Sequence, residues 1–134
     1  MNNLLSLDFG ERHIGLCLSY GELVEPAGTI SYKSQVQAIR QIVKIINDNR
    51  VTRLILGISE GKMAERTKKF AACLEKTSGK KVIFQDETLS SQDAKQLMIK
   101  GGFKQRKRQK KGHEIAACLI LRSFIEDRPK NLLE

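Results

Sequence analysis

Two apolar runs stand close together at the start of this chain, and a carboxylate interrupts the first. Leu4-Leu5-Ser6-Leu7-Asp8-Phe9-Gly10 reads as one strand and His13-Ile14-Gly15-Leu16-Cys17-Leu18-Ser19 as the next. So short a link predicts an antiparallel hairpin over about residues 3–19. Alternation puts Leu5, Leu7 and Phe9 on one face and Leu4, Ser6 and Asp8 on the other. Ile14, Leu16 and Leu18 likewise alternate with Gly15, Cys17 and Ser19. Gly10 offers turn freedom between the runs, and Gly15 permits close backbone approach. An ionised carboxylate inside a buried sheet is costly unless something pairs with it. An arginine or lysine, a ring of backbone N–H donors or a metal ion would meet that need. Arg12 is a nearby cation that could do so.

The rest of the chain alternates between helical and extended patterns. A third strand is expected around Val24 to Ile30, where Pro26 favours an edge or an irregular start. Ser34 is placed to cap a helix whose stripe is Val36, Ile39, Val43 and Ile46, widened by Ile42 and Ile45 and running to about Asn49. Val51-Thr52-Arg53-Leu54-Ile55-Leu56-Gly57 then reads as a buried strand. A helix leading directly into such a strand marks an α/β crossover. Residues 63–77 form an amphipathic pattern, with Thr67, Phe70, Leu74 and Thr77 on one side and Ser78-Gly79 as the stop. Lys81-Val82-Ile83-Phe84 is a short strand leading into Asp86-Glu87. Ser90 or Ser91 caps a further helix to about Lys100, stopped by Gly101-Gly102. A final helix is expected from His113 to about Glu126, with Ala116, Ala117, Ile120 and Phe124 inward. The resulting order is β-β-β-α-β-α-β-α-α: antiparallel strands first, parallel strands later, helices over both.

Charge is unevenly spread. Lys100, Lys104, Arg106, Lys107, Arg108, Lys110 and Lys111 fall in a stretch with no acid between Asp93 and Glu114. Of the net charge of +9, only +2 remains without those seven residues. The excess is therefore local, in a basic loop expected at about 101–112. It is either a solvated loop that aids solubility or a phosphate-binding arm whose affinity falls with salt. Phe103 is its one aromatic and the chain has no Trp, so backbone contact is favoured over base stacking. Lysine-rich tracts also bind acidic membranes, but no amphipathic anchor accompanies this one. The 134 residues suit one domain, with a frayed tail at about 128–134. No apolar run is long enough to span a bilayer, and the Met-Asn-Asn start leading into a strand predicts no secretory signal. Cys17, Cys73 and Cys118 lack metal or disulfide spacing. They read as reduced, buried thiols of a cytoplasmic protein.

The segments Leu7-Asp8-Phe9-Gly10 with Ile14-Gly15, Ile55-Leu56-Gly57-Ile58, Asp86-Glu87-Thr88-Leu89-Ser90, and Ile115-Ala116-Ala117 with Ile120-Leu121 together carry a family resemblance. They resemble the ribonuclease-H-like nucleases. Within these they are most similar to the YqgF family, the pre-16S rRNA nucleases also described as Holliday junction resolvases. The resemblance covers almost the whole chain. It implies a mixed five-stranded sheet flanked by helices. It also implies a divalent-metal-dependent nuclease acting on structured nucleic acid, either precursor rRNA or branched DNA. Asp8 matches the first metal-binding carboxylate and Glu87 the second. The third carboxylate's place is taken by His113, with Glu114 beside it. Thr88 stands where the family has an arginine, Tyr20 where an acid is common, and the proline after the strand-end glycine is absent.

These residue types suit phosphodiester hydrolysis. Mg²⁺ or Mn²⁺ takes oxygen ligands, which carboxylates at strand ends provide. His113 would complete the set as a ligand or move a proton near neutral pH. At a helix start, the dipole would favour its neutral form. The blander alternatives are an ion-paired or turn-capping Asp8, an exposed loop acid at Glu87 (Asp86 being the other choice), and a His113 or Glu114 that only opens a helix. A non-catalytic nucleic-acid-binding module on the same fold is the competing function. Asp-Phe-Gly before a glycine-bearing strand also resembles the phosphate loop of actin-like sugar kinases, but their two-domain closure needs a longer chain.

Overall fold

The computed structural model describes residues 3–21, 23–58, 62–86 and 105–127. In chain order the elements are β1 (Asn3–Phe9), β2 (His13–Tyr20), β3 (Leu23–Ser31), α1 (Gln35–Asp48), β4 (Val51–Ile58), α2 (Lys62–Ser78), β5 (Val82–Asp86) and α3 (Gln105–Asp127). The strands form one sheet in the order β3-β2-β1-β4-β5. The first three pair antiparallel. β4 joins β1 in parallel and β5 joins β4 in parallel. Each parallel pairing follows a helical crossover, because parallel neighbours cannot be joined by a tight turn. β1 therefore lies in the middle, with a partner on either side.

Alternation along the strands divides the apolar residues between two cores. Leu5, Leu7, Ile14, Leu16, Leu54 and Leu56 meet the helices α1 and α2. Leu4, Cys17 and Ile55 meet Ala117, Ile120, Leu121 and Phe124 of α3. Ser34 caps α1 as expected, its hydroxyl accepting from the Gln37 N–H, and Asn49 closes the other end. β3 lies at the edge. Its register against β2 shifts between Gly15 and Cys17, opposite the stretch that contains Pro26 and the positive-φ residue Gly28. The first strand has the face division its sequence implied.

Several expectations need correction. The basic stretch is not a loop throughout: α3 begins at Gln105, so the backbone of Arg106, Lys107, Arg108, Lys110 and Lys111 is helical. Lys, Arg and Gln are strong helix formers and the segment contains no proline, which accounts for the earlier start. His113 and Glu114 consequently lie well inside the helix, and the dipole argument for either has no basis. Thr77 is exposed, unlike Thr67, Phe70 and Leu74. Of the three thiols only Cys17 is buried; Cys73 is exposed and Cys118 half-buried. Gly10 does not use the left-handed region, so its role is steric rather than conformational. The helix expected to end near Lys100 lies outside the described residues.

Candidate active site

Asp8 is on β1 with its side chain on the α3 face, and it is 6% exposed. Its register partner across the hairpin is Gly15. The missing side chain matters there. A Cβ built on Gly15 would overlap the backbone carbonyl of His113 and crowd the Glu114 N–H. Glycine at this position therefore lets α3 settle directly onto β2. With the helix so placed, His113 Nδ1 lies 2.7 Å from Asp8 Oδ2. A carboxylate only accepts, so Nδ1 carries the proton in this contact. The other edge of the imidazole rests on Gly10, where a Cβ would stand 2.8 Å from His113 Cε1 and 3.1 Å from Nε2. Gly15 thus seats the His113 backbone, and Gly10 leaves room for its ring.

Further bonds fix the two partners. Ser6, fully buried two residues before Asp8, donates from Oγ to the Ala117 carbonyl at 2.5 Å. This joins β1 to α3 one turn beyond His113. The link after Asp8 is tied down as well. The Tyr32 hydroxyl donates to the Gly10 carbonyl at 2.6 Å, and Gly10 N–H donates to the His13 carbonyl at 2.9 Å. Arg66 pairs with Glu11 at 3.1 Å. Burial holds the Tyr32 phenol above its ordinary range; Arg66 opposes this and Glu11 adds to it. Beneath the link, Phe9 stacks on Phe70 with ring centres 4.5 Å apart. Nothing in the spacing of Ser6 or Tyr32 marked them beforehand, since a hydroxyl's distant partner has no sequence signal.

Glu114 turns toward β3: its Oε2 lies 4.0 Å from where a Cβ on Gly28 would stand. His113, not its neighbour, is the residue brought to Asp8. Arg12 is exposed, whereas Asp8 is paired with the imidazole. His13 lies beside His113 with ring centres 6.3 Å apart, and its Nδ1 is 3.0 Å from Ser31 Oγ. Glu87, Thr88, Lys100 and Lys104 lie outside the described residues, and β5 ends at Asp86, immediately before Glu87. Among the described residues no three His, Cys, Asp or Glu side chains are gathered for a metal. The pair that is present fits a divalent ion chemically. A nearly buried carboxylate offers hard oxygen donors. As it stands Nδ1 is engaged in a hydrogen bond to Oδ2, so it would have to give up its proton to serve as a ligand.

A mixed sheet whose central strand carries an acid, met by the last helix, defines a ribonuclease-H-like fold. Solved structures share this fold. A Fowlpox virus resolvase bound to Holliday junction DNA superposes with a TM-score of 0.62 at 14% identity, covering 98% of this chain and 99% of its own. The T. thermophilus RuvC complex with a Holliday junction substrate gives 0.60 at 13% identity, covering 94% and 96%. The RuvX family model, described as Holliday junction resolvase, matches residues 2–127. A Carboxydothermus hydrogenoformans protein provisionally named pre-16S rRNA nuclease is 35% identical, over 96% of this chain and 99% of its own. A Chlamydia caviae protein of the same name is 34% identical, over 96% and 85%. The chain belongs to the RuvX family, a family of nucleases. Among its described residues no helix is long and apolar enough to cross a membrane.

Proposed function

We propose that this cytoplasmic protein hydrolyses phosphodiester bonds in structured nucleic acid, with Asp8, Glu87 and His113 as its metal-binding and catalytic residues. The observation that carries this reading is the Asp8–His113 contact, made by residues 105 positions apart in the chain. Bound Mg²⁺ or Mn²⁺ would supply an activated water and stabilise charge on the phosphate. Asp8 would hold the ions from the central strand, and Glu87, the next residue in sequence after β5, would join it. His113 would serve as the third donor or carry a proton. Lys100, Lys104, Arg106, Lys107, Arg108, Lys110 and Lys111 would grip the phosphate backbone leading into the site. The names of the relatives favour precursor 16S rRNA as substrate; the resolvase family description makes branched DNA the alternative.

The test compares wild type with Asp8→Asn on precursor rRNA and on a four-way DNA junction, with Mg²⁺, Mn²⁺ or chelator. The expected result is metal-dependent cleavage that falls at least about 100-fold in the variant, as befits loss of a metal ligand. Equal cleavage by both proteins would defeat the proposal. A second reading, a nucleic-acid-binding module without catalysis, is favoured by Thr88 and His113 where the family carries an arginine and an acid. Salt-dependent binding without any metal-dependent cleavage would select it.

A further inference from the structure

The cluster under α3 contains two sulfurs that cleavage does not use. Cys17 is fully buried on β2, and Cys118, half-buried on α3, packs against the same cluster. The Cys17 thiol lies 3.3 Å from the Glu25 carbonyl. The neighbouring Cys118 and burial push the Cys17 thiol far above its ordinary range. Cys17 in turn draws Cys118 below its own, against the effect of burial. Glu114, Cys118 and Arg122 follow one another at four-residue spacing and so share a helix face. Arg122 favours the thiolate and Glu114 opposes it. An open cavity of about 470 Å³ lies beside Arg122, one turn from Cys118, lined also by Leu23, Val24, Ile125 and Glu126.

We propose that Cys118 and Cys17 form an oxidisable pair, in which a hydroperoxide oxidises Cys118 and Cys17 then closes a disulfide that pins α3 to β2. In the first step the Cys118 thiolate attacks a peroxide oxygen. The S–O bond forms as the O–O bond breaks, and the departing alkoxide or hydroxide takes up a proton. In the second step the Cys17 sulfur attacks the sulfenic sulfur. The S–S bond forms, the S–O bond breaks, and hydroxide leaves as water with the Cys17 proton. Two thiols have then lost two electrons and two protons, and the peroxide has been reduced to water and an alcohol, or to two waters. The division of labour follows from placement: the half-buried sulfur meets the oxidant, and the buried one resolves it.

The experiment treats the full chain with hydrogen peroxide, blocks remaining thiols, and maps peptides by mass without reductant. The expected product has lost two hydrogen atoms, contains a peptide joining Cys17 to Cys118, and reverts with dithiothreitol. Cys73→Ser should leave that peptide unchanged. Cys17→Ser should abolish it and leave oxygen added at Cys118. Oxidised wild type should melt at a higher temperature than reduced wild type, because the bond closes a loop enclosing most of the chain. Cys118→Ser should show no such rise, and it decides the matter if Cys17→Ser fails to fold. Oxidation confined to Cys73, or cross-links only between chains, would overturn the proposal.

Discussion

At Gly15 a single methyl group would be too much. The residue pairs with Asp8 in the hairpin and supports the His113 backbone, so it sets the distance between the two candidate donors. Gly15→Ala must push α3 outward or bend β2. We expect a loss of about 1–3 kcal/mol, the usual range for overpacking, seen as a lower urea midpoint. Metal-dependent cleavage should fall further than that loss explains, because the Asp8–His113 contact opens. Tyr32 allows a different test. Its phenol ionises at higher pH in the folded chain than in the unfolded one, burial being the main cause. Its contribution is therefore complete below the unfolded value of about 10 and is lost as pH rises above it. Urea midpoints measured at about pH 9 and about pH 11 should drop more for wild type than for Tyr32→Phe. An equal drop would remove Tyr32 from the account of the β1–β2 link.

Among the elements, α3 combines two functions. Its later turns are core, with Ala117, Ile120 and Leu121 fully buried, while its first turns contain the basic run. Charge alone made residues 105–111 look like a loop, since a cluster of cations gives no apolar stripe from which to read a helix. Only intrinsic propensity pointed the other way. The strands were easier to read. Asp8 and Gly15 were placed on their faces by period-two alternation, because a strand allows only two directions. Ser34 was legible because a cap bonds within its own turn. Replacing Arg106 and Lys107 with Gln should lower the slope of log binding constant against log salt by about 0.7–0.9 for each phosphate contact removed. The folded chain should keep its melting temperature within a degree or two, since Gln is as good a helix former as Arg and Lys. An unchanged slope would exclude these two cations from backbone contact.

Across the whole molecule, the sheet separates two cores. Among the described residues one face is covered by α1 and α2, and the Asp8 face by α3. Ile120 is fully buried in that second core. Ile120→Val should cost about 0.5–1.5 kcal/mol, a noticeable share of the 5–15 kcal/mol typical of a domain. The readout is the urea midpoint at constant denaturant sensitivity; no shift would mean the helix contributes less than its burial implies. The meeting of Asp8 and His113 could be anticipated only through family resemblance, since nothing local links residues so far apart. Family pattern did not reveal how His113 is held, because its seat depends on the absence of atoms at Gly15 beneath its backbone and at Gly10 beside its ring. The open flank of the sheet has a separate consequence. On β3, Pro26 lacks an amide to donate, and Gly28 and the register shift bend the rim nearby. A second copy arriving edge to edge would meet a missing rung and a crooked rail, which guards concentrated solutions against growth into fibrils.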